Sequence, residues 1–138
     1  MATVDLIDFK LIQGVPVIKA SQGQTELNLI IDTGASHCVL CKDVADKLNY
    51  KKVKNLYKVY GIDGSSLDAG AIKADIQIAN YNFENLTFQN VEVPGIDRIN
   101  KKYTDGFALH GLLGSNFLHY FHLILDYNRQ VLQIEDSK

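Results

Sequence analysis

The chain has 138 residues, room for one domain with a real core but not for two ordinary ones. Its 14 basic and 16 acidic residues leave a net charge of −2, which provides no electrostatic basis for binding nucleic acid or an anionic membrane. No apolar run approaches the roughly 20 residues needed to cross a bilayer, and the start "MATVDLIDFK" lacks a basic flank before a long apolar segment, so a soluble, cytoplasmic protein is expected.

The segments "VPVIKA" (15–20) and "TELNLII" (25–31) flank "SQGQ" and read as an antiparallel hairpin. The second of them runs straight into Asp32, within "LIIDTGASHCVL" (29–40). A carboxylate ending an apolar strand must be solvated, paired or put to use. If the chain leaves the sheet at Asp32, Gly34 lets the backbone turn tightly and brings an amide to the carboxylate. Thr33 adds a hydroxyl able to reach a neighbouring group, and Ala35 is too small to crowd the site. Next, "KDVADKL" (42–48) sets Val44, Ala45 and Leu48 on one face of a short helix. The basic run Lys51, Lys52, Lys54 and Lys58 reads as a solvated face in a short polar connection.

Further along, "KVYGIDGSSLDAG" (58–70) is a hairpin candidate, followed by "AIKADIQI" (71–78). There Ile72, Ala74, Ile76 and Ile78 alternate with Lys73, Asp75 and Gln77, as a half-buried strand requires. "PGIDRINKKYTDG" (94–106) has the weakest pattern and is expected to be a long surface loop. In "SNFLHY" (115–120) Ser115 is a candidate N-cap for a second short helix, and "FHLILD" and "QVLQI" flank "YNR" as a last antiparallel pair. The halves echo each other, with "LNLIIDTGAS" before one helix and "FALHGLLG" before the other, an arrangement that would bring Asp32 near Gly114. The expectation is a single all-β domain over 1–138 with one or two short helices.

Hydrolysis of a peptide bond by activated water needs a base and an acid, and two carboxyls sharing a proton supply both. The chain has a single Asp-Thr-Gly, so a second copy would have to bring the other carboxyl, with Asp32 on a two-fold axis. Two other uses of these residues compete. Cys38-x-x-Cys41 beside His37 superficially matches a dithiol or metal site, which His110, His119 or His122 would have to complete. A dimeric peptide-binding or scaffold module of the same fold would leave the carboxylate unused.

In order, the apolar run into Asp32-Thr33-Gly34-Ala35-Ser36, the hairpin at 58–70, Leu112-Leu113-Gly114, and a short helix before a last strand resemble the retropepsin-like aspartic proteases over about residues 15–134. The resemblance implies an acid-protease barrel with one lobe per chain, an aspartic endopeptidase that works as a homodimer without metal or organic cofactor. Asp32 of both subunits would activate water, Thr33 would tie the two loops across the axis, and Gly34 would offer its backbone to substrate or dyad. Ala35, Ser36, Gly61, Ile62, Asp63, Gly64 and Leu112 would contact an extended peptide or protein substrate, with the 61–65 tip closing over it and residues of 94–106 as further candidates to line the cleft. Leu112, Leu113 and Gly114 would support the Asp32 loop. The terminal segments "TVDLIDF" and "VLQIEDSK" are candidates to pair across the two-fold. Ser36 and Ser115 stand where retroviral members carry an Asp and an Arg; losing both charges together strands neither. Ala35 removes a hydroxyl found in pepsin-like enzymes, which implies an optimum between mildly acidic and near-neutral pH. His110 takes a place that is acidic in many cellular relatives.

Overall fold

In the computed structural model, which describes residues 3–60, 66–102 and 108–136, the hairpin expected over 15–31 is present and follows two shorter strands. The chain begins with β1 (Thr3–Asp8) and β2 (Lys10–Ile12), and the hairpin is formed by β3 (Val15–Gln22) and β4 (Thr25–Ile31). Gly23, at φ +57°, takes the left-handed conformation of the β3–β4 turn. β5 (Cys38–Cys41) and α1 (Lys42–Ala45) follow, then the long antiparallel β6 (Lys51–Tyr60), β7 (Ser66–Ile78) and β8 (Tyr81–Val91). The remainder is α2 (Pro94–Lys102), β9 (Gly111–Leu113), α3 (Ser115–Tyr120), β10 (Leu123–Asp126) and β11 (Val131–Asp136).

The larger sheet has the order β2-β3-β4-β9-β5-β8-β7-β6, and β3 also meets β7 through Ser21 and Gln77. That bridge closes β3, β4, β9, β5, β8 and β7 into a barrel. It is clamped beside the seam by the Gln22 carboxamide, which donates to Asn49 O (2.9 Å) and Asp75 O (3.0 Å) and accepts from Asn49 N (2.7 Å). Inside lie Ile18, Leu27, Leu29, Leu40, Ile76, Ile78, Phe88 and Leu113, all 0 or 1% exposed. Lys73, Asp75 and Gln77 point to solvent while Ile72, Ala74, Ile76 and Ile78 face in, as the alternation requires.

Three elements depart from the sequence reading. Residues 94–102 form α2, not a loop: Pro94 opens the first turn, Asp97 N bonds to Val93 O at 3.1 Å, and Ile96 and Ile99, three apart, share an apolar cluster with Val17, Ile30 and Leu109. Ile96 is therefore committed to packing, not to lining a cleft; residues 103–106 lie outside the described residues. The helix expected over 42–48 stops at Ala45 and continues as tight i→i+3 turns, Lys47 N to Val44 O and Leu48 N to Ala45 O, both 3.0 Å. Ser115 is not the N-cap of α3. Gly114 holds that position, and the Ser115 amide is spent on Ala35 O at 2.7 Å.

The terminal segments pair within the chain. β1 runs antiparallel to β11, from Thr3 opposite Asp136 to Asp8 opposite Val131, and β10 takes the other edge of β11. This places Ile7 and Leu132 in the core and leaves Leu6 and Ile124, both opposite Gln133, about half exposed on the outer face. Phe83 of β8 packs edge-on to Phe117 and Phe121, with ring centroids 5.0 and 4.7 Å away, anchoring α3 to the barrel.

Candidate active site

β9 lies between β4 and β5, parallel to the first and antiparallel to the second. It therefore separates two strands that are consecutive in sequence, and the loop joining them, residues 32–37, must pass around its end. Two backbone bonds fix that loop: Asp32 N donates to Leu113 O at 2.9 Å, and Ser115 N to Ala35 O at 2.7 Å. Ala35 N closes a turn onto Asp32 O at 3.2 Å, and Gly34 N donates to Asp32 Oδ1 at 3.0 Å. One carboxylate oxygen is thus held by the chain's own backbone. Asp32 is half-buried, while Thr33 and Gly34 are exposed beside it.

Close approach requires both glycines of β9's surroundings. A Cβ on Gly114 would lie 2.6 Å from His37 O and 2.9 Å from Ala35 O, and one on Gly111 would lie 2.1 Å from Val39 O. Leu113 is fully buried under the Asp32 loop. Leu112 points the other way, half-buried against Val39 and Val93. The structure thus brings Asp32, Thr33, Gly34, Ala35, Leu112, Leu113 and Gly114 together. Ser36 is exposed, its Oγ 2.8 Å from His37 Nδ1. Gly61, Ile62, Asp63, Gly64 and Ser65 lie outside the described residues; β6 and β7 flank them as an antiparallel pair, with Tyr60 opposite Ser66.

The cysteines are placed differently from a dithiol centre. Cys38 is 2% exposed and donates its thiol to Asn116 Oδ1 at 3.7 Å. Burial pushes both thiols up to about 11, with Asp97 and Asp43 adding to the effect at Cys41, so neither supplies a thiolate at neutral pH. Among the described residues no three His, Cys, Asp or Glu side chains converge as a metal-ligand set.

Sequence reasoning missed two partners of the site. His110 N and Asn28 O bond at 2.9 Å, and the Asn28 amide in turn donates to His110 Nδ1 at 2.9 Å. Asn28 Nδ2 also holds Ala108 O at 2.8 Å. Burial, reinforced by Lys47, holds His110 below the usual imidazole range, and a neutral ring is what an accepting Nδ1 needs. Asn116, the Cys38 partner, is the second; neither long-range contact leaves a periodic signal.

The family model for aspartyl proteases matches residues 18–117. By fold, the chain is similar to a retropepsin-like aspartic protease from Rickettsia conorii, with a TM-score of 0.57 over 98% of this chain and 91% of that one, at 22% identity. No curated protein matches it by sequence.

Proposed function

The chain belongs to the aspartyl protease family, with a retropepsin-like barrel, and from that premise we propose that it is an aspartic endopeptidase acting as a two-fold homodimer. The observation that carries this reading is Asp32 itself: a half-buried carboxylate with one oxygen on the Gly34 amide, on a loop fastened at both ends to β9 and α3. A carboxylate held this firmly suits positioning a water molecule between itself and its symmetry mate.

In the dimer, one Asp32 takes the proton of the water as it attacks the scissile carbonyl carbon. The other, protonated, donates to the carbonyl oxygen, and the tetrahedral intermediate collapses with transfer of a proton to the leaving amine. No covalent enzyme adduct forms. Thr33 is exposed and its hydroxyl has no partner among the described residues, which leaves it available to the matching loop of a second copy. An extended peptide would lie between the Asp32 loops and the β6–β7 arms, adding its main chain as a strand, with Ala35, Ser36 and Leu112 at its sides and Gly61 to Gly64 above it.

The deciding experiment is cleavage of a diverse peptide library from about pH 4 to 7 by the wild type and by Asp32→Asn. The variant keeps the shape and loses the titrating group, so turnover should fall roughly a thousandfold or more with fold and dimer intact. Stable dimers of both proteins that cut nothing would leave a peptide-binding module instead.

A further inference from the structure

β7 pairs with β8 almost from end to end, but on the other side of β8 the neighbouring strand β5 begins only at Cys38, opposite Phe88. The two run parallel, so a strand continuing β5 backwards would meet Thr87, Leu86, Asn85 and Glu84 in turn. The chain does not take that path. At His37 it turns off to pass Gly114, where an added Cβ would lie 2.6 Å from His37 O. A hollow of about 320 Å³ stands in the vacated place, lined by residues 84–87, by Phe117, Tyr120 and Phe121 in and just after α3, and by Cys38 where β5 starts. No backbone bond joins α3 to residues 84–87 among the described residues.

Two features of the hollow specify what fits it. The first is the strand edge: N–H and C=O groups turned away from β7 form a template for one more strand. The second is a free charge on an aromatic wall. Glu84 is exposed and makes no ion pair among the described residues, and Tyr120, 75% exposed, lines the same hollow with Phe121 edge-on to its ring at 4.7 Å. A cationic side chain seated there gains both a carboxylate and a ring face, whereas an acidic one meets repulsion. The half-buried Leu86 and Phe121 offer apolar contact to the neighbouring positions of the same segment. We propose that this groove docks an extended, basic segment of a partner protein, added as a strand to residues 84–87 of β8, with Lys or Arg against Glu84 and Tyr120 and an apolar side chain against Leu86 and Phe121. No residue of the 32–37 loop lines the groove, so the docking does not depend on whether Asp32 cuts.

The test sorts a display library of short random peptides on the wild-type chain and measures the recovered peptides by fluorescence anisotropy. The expected binders combine Lys or Arg with apolar residues in alternation, and methylating their alternate backbone amides should abolish binding. Glu84→Lys and Tyr120→Ser, both at exposed positions, should each weaken them roughly fivefold or more. Recovery of no binders, enrichment of acidic peptides, or equal affinity for the wild type and both variants overturns the proposal. So does binding that only Asp32→Asn removes, which would place the peptides in the cleft. Self-association of the chain that Glu84→Lys and Tyr120→Ser abolish, without peptide binding, would put a second copy in the groove and overturn the assigned partner.

Discussion

Gly114 is required by what surrounds it. Its φ of −90° is open to any residue, yet a methyl group there would sit 2.6 Å from one backbone carbonyl oxygen and 2.9 Å from another. Backbone cannot rotate away as a side-chain tip can, so the Asp32 loop itself would have to move. Gly114→Ala should destabilise the fold by about 2 kcal/mol or more, measured by denaturant unfolding, and should lower peptide turnover beyond the loss of folded protein. At this scale the sequence was informative about placement: the Gly34 amide meets the Asp32 carboxylate, and the Asp32 loop lies against Gly114, as the spacing leads one to expect. It was silent about Asn28 and Asn116, because a lone amide has no pattern and its partners lie far along the chain. Gly61 to Ser65 lie outside the described residues.

β4 and β9 form the parallel pair under the site, and their lower end is tied by Asn28 and His110 instead of by an apolar contact. Protonation at Nδ1 would set an N–H against the Asn28 N–H and abolish that bond. Because the folded state holds His110 below its ordinary value of about 6.5, the unfolded chain binds the extra proton first. The tie therefore contributes fully above that ordinary value and is lost as pH falls through it toward the lower native one. Wild type should lose about 1 kcal/mol more than His110→Asn between pH values of roughly 7.5 and 5, read from urea midpoints. Equal losses in the two proteins would show that His110 is not the group responsible. Elements with a clean period were legible from residue spacing alone: 71–78 alternates as a strand should, and 115–120 is a helix with the expected bounds. α2 was hidden because Pro, Gly, Asn and Lys dominate its composition, while its packing depends on two isoleucines whose partners come from β3, β4 and residue 109.

For the whole molecule, the barrel and its one-lobe form follow from the strand pattern and the family, whereas the order of strands does not. Nothing in the local sequence says that β9 inserts between β4 and β5, or that β1 binds β11 of its own chain. The proposed dimer makes a prediction of its own. If each active centre needs two Asp32 carboxyls, mixing wild type with Asp32→Asn under exchange conditions should lower activity as the square of the wild-type fraction. A linear fall would mean that each chain works alone. The seam at Ser21 and Gln77 has a further consequence. Five of the barrel's six joins are ladders of two or more residue pairs, but the ring closes on one. A closed wall opens first where it is thinnest, by local unfolding that leaves the remaining ladders intact. β7 is the strand on one side of that join, and its other half is an arm of the β6–β7 hairpin. The molecule is therefore expected to behave less like a rigid cylinder than like a cuff with one clasp, and under the proposed peptidase reading that clasp sits on the strand whose far half would meet the peptide.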